Sequence, residues 1–309
     1  MPYPKVTVVG AGHVGATAAH LLLVKALADV VLVDVADGLP QGKALDMMHS
    51  RSVERFGPRA TGANDYSACA GSDVVVVTAG VPRKPGMTRE ELAGINARIV
   101  RSVMAEAVPA SPDAVFVIVT NPLDVMTDLA WRLSGLPPER VIGMGGVLDS
   151  ARFAYYIAQE TGVDVAEIDA LCCGMHGEAM VPLPRHSFVA GRPLTEVLTP
   201  ERIEEVVRRS VAGGAEVVGL LKTGSAYYAP ASSIVAMVEA VLGDTGAVLP
   251  SCVLLTGEYG IDGVHMSVPA SLGRDGVRSI PVLDLDEAEL SALRASAETI
   301  RGQLAAAGV

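Results

Sequence analysis

Basic charge is scarce in this chain. Lys and Arg together number 24 against 35 Asp and Glu, and the 309 residues carry a formal net charge of −11. A nucleic-acid binder would need a basic face to meet phosphates, so this balance argues against one. It argues equally against a protein held on an anionic membrane surface. An acidic ligand would have to be drawn in by a local cluster of positive charge, because the global field repels it. Long apolar runs are lacking too. None approaches the roughly 20 residues that span a bilayer, and Met1-Pro2-Tyr3-Pro4-Lys5 runs straight into an apolar strand without the charged and apolar regions of a signal peptide. A cytoplasmic protein is expected. Cysteine is limited to Cys69, Cys172, Cys173 and Cys252. None forms a C-x-x-C pair, and the adjacent Cys172 and Cys173 cannot clamp a tetrahedral metal in the usual way, so reduced buried thiols and no metal site are expected. Aromatics are only 4% of residues, whereas half the chain is apolar and Gly is abundant. Length alone suggests about two domains.

The N-terminal half alternates β-branched runs with helical patterns. Val6–Val9, Val30–Val33, Val74–Val77, Val115–Val119 and the short Val141-Ile142 read as strands. Helices are predicted over His13–Ala28, Leu39–Arg55, Arg89–Val108 and Pro122–Ser134. This β-α-β rhythm predicts an α/β chain with a doubly wound parallel sheet. After about Gly146 long helical segments appear, at Leu148–Thr161, Pro200–Leu221, Ser232–Leu242 and Asp286–Ala307. Short strands such as Ile168–Leu171 and Ala247–Leu249 lie between them. The expected division is a dinucleotide-binding domain over 1–146 and a mixed α/β catalytic domain over 147–309. No repeat or low-complexity linker interrupts the chain.

Gly10-Ala11-Gly12-His13-Val14-Gly15 is a G-x-G-x-x-G set between a strand and a helix. Its glycines allow a tight turn, close approach of a pyrophosphate and close strand–helix packing, as in a Rossmann domain. The phosphates would sit on free N–H groups at the helix N-terminus. Asp34 closes the second strand, nineteen residues after Gly15. A carboxylate there can accept from the ribose hydroxyls of NAD and would repel the extra phosphate of NADP. The plainer reading of Asp34 is a cap on the next loop. Flavin and nucleotide-sugar proteins share these features, so the motif alone does not fix the chemistry.

Further segments narrow it. They are Thr78-Ala79-Gly80-Val81-Pro82-Arg83-Lys84-Pro85-Gly86-Met87-Thr88-Arg89, Thr120-Asn121-Pro122-Leu123-Asp124 and Gly146-Val147-Leu148-Asp149-Ser150-Ala151-Arg152-Phe153. His176-Gly177 with Val181-Pro182 follows, and then Lys222 to Ala231. In order and over essentially the whole chain, they resemble the lactate/malate dehydrogenase family, in particular its lactate-dehydrogenase-like bacterial malate dehydrogenases.

Oxidising an alcohol by hydride loss needs a base for the hydroxyl proton, and His suits because its pKa lies near working pH. Of the six His, the resemblance makes His176 the acid/base; His13 lies in the phosphate turn, His20 and His49 lie on helices, and His186 and His265 carry no motif. Asp149 takes the family's role of orienting the imidazole, with a helix N-cap as the plainer alternative. Arg152, three residues on and on the same helix face, can fork the C1 carboxylate. Asn121 ends a parallel strand at the crevice where such sheets bind ligands, and family members use it on substrate.

The loop from Arg83 to Arg89 resembles the family's lid. Arg89 would stabilise charge developing on the carbonyl oxygen, and Arg83 falls where the family reads the far end of the substrate. Arg at that position implies a second carboxylate, as in malate or oxaloacetate, and a neutral residue would suit lactate. The resemblance also places Ala11, His13, Val14, Thr78, Ala79, Gly80, Asn96, Val119 and Thr120 with Gly10, Gly12, Gly15, Asp34 and Asn121 at the NAD site, and Ser225 in the substrate pocket. It implies reversible NAD-dependent oxidation of (S)-malate, a step of the tricarboxylic acid cycle, and a homodimer or homotetramer. The apolar face around Leu21-Leu22-Leu23 is compatible with subunit packing. The alternatives are an L-lactate dehydrogenase and a catalytically silent NAD-binding assembly protein. The chain departs from the family at Glu178, usually Asp, at Met175 and Cys172-Cys173, and at Ser267, where Gly is common.

Overall fold

β-Branched runs bounded by turns set the strands, and the helices between them bury small and aliphatic faces. The computed structural model describes residues 2–82 and 87–307, and for Arg89 the backbone only. In chain order the first half holds β1 (Lys5–Val9), α1 (His13–Val24), β2 (Asp29–Val33), α2 (Leu39–Glu54), β3 (Ala60–Ala63), β4 (Val74–Val77), α3 (Arg89–Ala110), β5 (Val115–Ile118), α4 (Leu123–Ser134) and β6 (Val141–Gly143). Helix α5 (Gly146–Thr161) follows, then β7 (Ile168–Asp169), β8 (Cys172–Gly174), β9 (Met180–Pro182), β10 (Phe188–Val189), β11 (Arg192–Pro193), α6 (Leu194–Val197), α7 (Pro200–Leu221), α8 (Tyr228–Leu242), β12 (Val248–Thr256), β13 (Asp262–Gly273), β14 (Gly276–Ser279) and α9 (Glu287–Ala307).

The first six strands pair in parallel in the order β3-β2-β1-β4-β5-β6. Val74–Val77 and Val115–Ile118 are buried throughout, as continuous apolar runs must be in a sheet covered on both faces. Winding reverses between β1 and β4, which opens a crevice at the carboxyl ends of these strands. The sheet then continues without a break. β12 lies antiparallel to the edge strand β6, with Cys252 opposite Gly143; β13 pairs with β12, and Gly174 of β8 lies opposite Ser267 of β13. Through this hairpin the end of β8 reaches the same edge of the sheet at which α5 starts.

Four expectations need correction. Helix α1 stops at Val24, because the chain turns through Ala26 at φ 54°. Helix α8 begins at Tyr228, not Ser232, since Pro230 sits in its first turn, where a missing N–H breaks no helical bond. The strand placed at Ala247–Leu249 is the start of the nine-residue β12, and the twelve-residue β13 carries too little alternation to read as a strand. Leu22 and Leu23 are fully buried in the chain's own core, so that face of α1 is not free for a partner subunit.

Candidate active site

The turn after β1 is built to bring another molecule close to backbone. Gly10 has φ 106°, and a Cβ there would lie 2.6 Å from Thr78 Oγ1 and 2.8 Å from Ala79 N. A Cβ on Gly15 would overlap the Gly10 carbonyl oxygen, whereas nothing lies near Gly12. The two crowded glycines thus bind strand, turn and helix together, and the third leaves open space. Gly12 is the N-cap of α1 and supplies no side-chain cap, so the first-turn N–H groups of α1 are of the kind that hold a phosphate. Asp34 is half-buried at the end of β2 and accepts from Ala11 N at 2.7 Å and Ala36 N at 2.9 Å. It therefore does cap its loop while standing beside the glycine turn, and the two readings of it coexist. This donor set fits a dinucleotide.

Thr78, Ala79 and Gly80 follow β4, and Val119 and Thr120 follow β5, all at the crevice. Thr78 Oγ1 donates to Val9 O at 3.1 Å or Gly10 O at 3.0 Å, and Thr120 Oγ1 to Ala79 O at 2.7 Å. Asn96 on α3 is buried. Its Oδ1 accepts from Val81 N at 2.8 Å, and its Nδ2 donates to Val81 O at 3.2 Å and Asn121 O at 2.6 Å. Its amide is committed to holding the loops after β4 and β5 together. Val14 is partly buried, and His13 is exposed and stacks on Tyr227 with centroids 5.0 Å apart.

His176 stands two residues beyond β8. Its Nδ1 lies 2.9 Å from Asp149 Oδ2, and the side chains are 15% and 2% exposed. Arg152 Nη1 donates to the other carboxylate oxygen at 3.3 Å. Asp149 is thus not an N-cap; Gly145 holds that position, and the Asp149 carboxylate bridges imidazole and guanidinium. Burial alone would lower the His176 pKa, but the charge and hydrogen bond of Asp149, and then the charge of Asp124, outweigh it and hold the pKa above the ordinary value. With the proton on Nδ1 facing Asp149, Nε2 is the nitrogen left to exchange a proton. Gly213 and Gly214 of α7 pass beside Arg152; a Cβ at Gly214 would meet its guanidinium at 3.4 Å.

The turn that carries His176 is fixed from two elements, α4 and α9, and the start of α5 from a third, β13. Asp124 of α4 accepts from His176 N at 3.0 Å. Ser296 of α9 accepts from Met175 N at 2.7 Å and donates to Ala179 O at 2.9 Å. Ser267 of β13 accepts from Gly146 N at 3.0 Å, which gives α5 the first-turn acceptor that Gly145 cannot supply. A cavity of about 300 Å³ opens here, lined by Asn121, Asp124, His176 and Glu178 together with Glu90 of α3 and Gln303 of α9.

The structure therefore brings His176, Asp149, Arg152 and Asn121 together. Ser225 is exposed in the loop before α8 and is not part of a helix start. Arg83 and the side chain of Arg89 lie outside the described residues. Sequence reasoning gave Asp124, Ser296 and the capping by Ser267 no role. Asp124 ends the Thr120-Asn121-Pro122-Leu123-Asp124 segment, and a charged residue in an otherwise apolar helix start was its signal. Ser296 carries no local signal in an Ala- and Glu-rich helix. The buried thiols agree with expectation, and burial pushes Cys173 up to about 12. Among the described residues no cluster of three or more His, Cys, Asp or Glu is placed to hold a metal ion, and no helix is long and apolar enough to cross a membrane.

A glycine turn at the switch point of a doubly wound sheet, in one chain with a carboxylate-oriented imidazole, defines the class of nucleotide-dependent oxidoreductases. The chain belongs to the lactate/malate dehydrogenase family: residues 4–143 match its NAD binding domain and residues 146–307 its alpha/beta C-terminal domain. It is 50% identical over 302 residues to a malate dehydrogenase of Roseiflexus castenholzii, covering 98% of each chain. The malate dehydrogenase of Salinibacter ruber has a similar structure (TM-score 0.94, 44% identity, 98% of this chain and 97% of that one). So has a lactate dehydrogenase of Cryptosporidium parvum solved with lactic acid and nicotinamide adenine dinucleotide (TM-score 0.96, 40% identity, 100% and 99%).

Proposed function

We propose that this chain is an NAD-dependent malate dehydrogenase, interconverting (S)-malate and oxaloacetate. The observation that carries the reading is the His176–Asp149–Arg152 constellation, built around the buried Asp149 carboxylate, on a chain 50% identical to a malate dehydrogenase over nearly its whole length. NAD, when bound, supplies the hydride acceptor. Gly10, Gly12, Gly15 and the first turn of α1 hold its phosphates, and Asp34 its ribose. The chain's own part is to orient the substrate and move one proton. Arg152 grips one carboxylate as a fork. Nε2 of His176 takes the hydroxyl proton during oxidation and returns it during reduction, while Asp149 stabilises the imidazolium. Arg89 stabilises charge on the carbonyl oxygen, Asn121 contacts substrate, and Ser225 joins the pocket when substrate is bound. Arg83 pairs with the second carboxylate, the feature that separates malate from lactate.

The reading includes a division into domains over 1–146 and 147–309, a homodimer or homotetramer, a place in the tricarboxylic acid cycle and a cytoplasmic location. Turnover of oxaloacetate and pyruvate, each with NADH and NADPH, tests the function. Oxaloacetate with NADH should dominate, and Arg83→Gln should shift the ratio toward pyruvate by about 2–5 kcal/mol of discrimination. Equal use of both acids by the unaltered protein would refute the choice of malate, and NADPH as the preferred reductant would refute the role of Asp34.

A further inference from the structure

Asp149 is not the only carboxylate set against His176. Asp124 lies in the first turn of α4, directly after Asn121-Pro122, and is 3% exposed. Its Oδ2 accepts from the backbone N–H of His176 at 3.0 Å, and its Oδ1 accepts from Cys252 Sγ of β12 at 3.5 Å. It also lines the cavity beside His176. A buried carboxylate is costly, and an amide or hydroxyl oxygen could satisfy one N–H and one thiol as well. The charge itself therefore needs a purpose.

We propose that Asp124 is a positioning residue that anchors the His176 turn through the backbone and brings a second buried carboxylate, beside that of Asp149, to the site of the imidazole. The two carboxylates approach His176 from different helices, α4 and α5. The other charged and titratable groups nearby are accounted for. Arg152 opposes protonation of His176. Asp128, one turn along α4, is committed to His265 Nδ1 at 3.0 Å and Arg132 Nε at 2.5 Å. Glu178 and Glu90 line the same cavity, and the Cys252 thiol is held in its neutral form by burial. Burial raises Asp124 to about 6, with the charge and N–H of His176 pulling the other way, so the anion is present at neutral pH. Below that range its charge is neutralised and its electrostatic pull on the imidazole is lost, while a carboxyl oxygen can still accept from His176 N.

The proposal rests on His176 as the acid/base, so its test includes a readout that does not need turnover. Asp124→Asn keeps the volume and an oxygen acceptor for the His176 N–H but removes the charge. The NMR titration of His176, and the pH dependence of kcat/KM for malate oxidation, should both move to lower pH by about half a unit or more. That is roughly a threefold gain in the neutral imidazole, relative to its plateau, at a pH below the unaltered midpoint. A slower enzyme with an unmoved titration would mean that Asp124 only packs, and would overturn the proposal. Should the variant not fold, the His176 resonance of the unaltered protein must show a second inflection near pH 6 as Asp124 takes its proton; a single-site curve overturns the coupling. If His176→Asn retained full turnover, the acid/base reading would fall, and the titration would still decide what Asp124 does to the imidazole.

Discussion

Replacing Asp149 with Asn changes one oxygen for a nitrogen at the centre of the site. The Asp149 carboxylate has two partners, His176 Nδ1 at 2.9 Å and Arg152 Nη1 at 3.3 Å, and is 2% exposed. Opposite charges about 4 Å apart in a partly wet protein site attract by about 4 kcal/mol. The imidazolium that forms when malate gives up its proton would lose that attraction, less whatever hydrogen bonding the amide restores. Each 1.4 kcal/mol or so is tenfold in rate, so malate oxidation should fall by about 10² to 10³ in kcat. An amide can also turn its NH₂ toward Nδ1, which would move the ring proton to Nε2 and block that nitrogen as a base. Because Asp149 holds up the proton affinity of His176, the rate limb governed by His176 should shift to lower pH. Oxaloacetate reduction, which needs the protonated ring, should therefore fail at a lower pH than in the unaltered enzyme. The assay is steady-state kinetics from pH 5 to 9, with NADH affinity measured in parallel by fluorescence. That affinity should be unchanged, because Asp149 is no part of the glycine turn. A variant that binds NADH normally and keeps kcat within threefold would refute the role given to this carboxylate.

Three other predictions concern the frame around the imidazole. Ser296→Ala leaves the buried Met175 N–H without its acceptor and the Ala179 carbonyl without its donor; about 1–3 kcal/mol of stability should go, read as a Tm lower by roughly 2–8 °C. An unchanged Tm would show that the His176 turn does not depend on α9. Ser267→Gly removes the acceptor for Gly146 N and should cost about 1 kcal/mol with kcat within twofold, since the serine supports α5 without touching the reacting atoms; a large kcat loss at unchanged Tm would contradict this. Asp124→Asn should change the pH dependence of stability. Asp124 rises from 3.8 unfolded to about 6 folded, so its contribution is full below about pH 4 and is lost as pH climbs through 6. The unaltered protein should forfeit up to about 3 kcal/mol across that window, the Asn variant should not, and denaturant melts at pH 5 and pH 8 should show the variant gaining relative stability at the higher pH.

The parts legible in the sequence are those whose signal is local. Val74–Val77 reads as a buried parallel strand because four β-branched residues in a row have no other good home. Gly10, Gly12 and Gly15 read as a phosphate turn because a strand precedes them and a helix follows. His176, Asp149 and Arg152 were legible only through resemblance to a family. Nothing in their neighbours' composition says that residues 27 apart will lie 2.9 Å from one another. That meeting depends on the antiparallel β12–β13 pair, which was read only as Ala247–Leu249. Without the two long strands, β8 would have no route to the edge of the parallel sheet at Gly143. The residues overlooked share one property. Asp124, Ser267 and Ser296 act on backbone N–H groups 52, 121 and 121 residues away in sequence, and a backbone N–H is the same at every non-proline position. A sequence can announce a side chain suited to accept a hydrogen bond, but it cannot say which distant amide will need one. The fold decides that, and here all three amides lie at the start of α5 or in the turn of His176. The positioning of the imidazole is therefore a tertiary property, although the imidazole itself can be read from the chain.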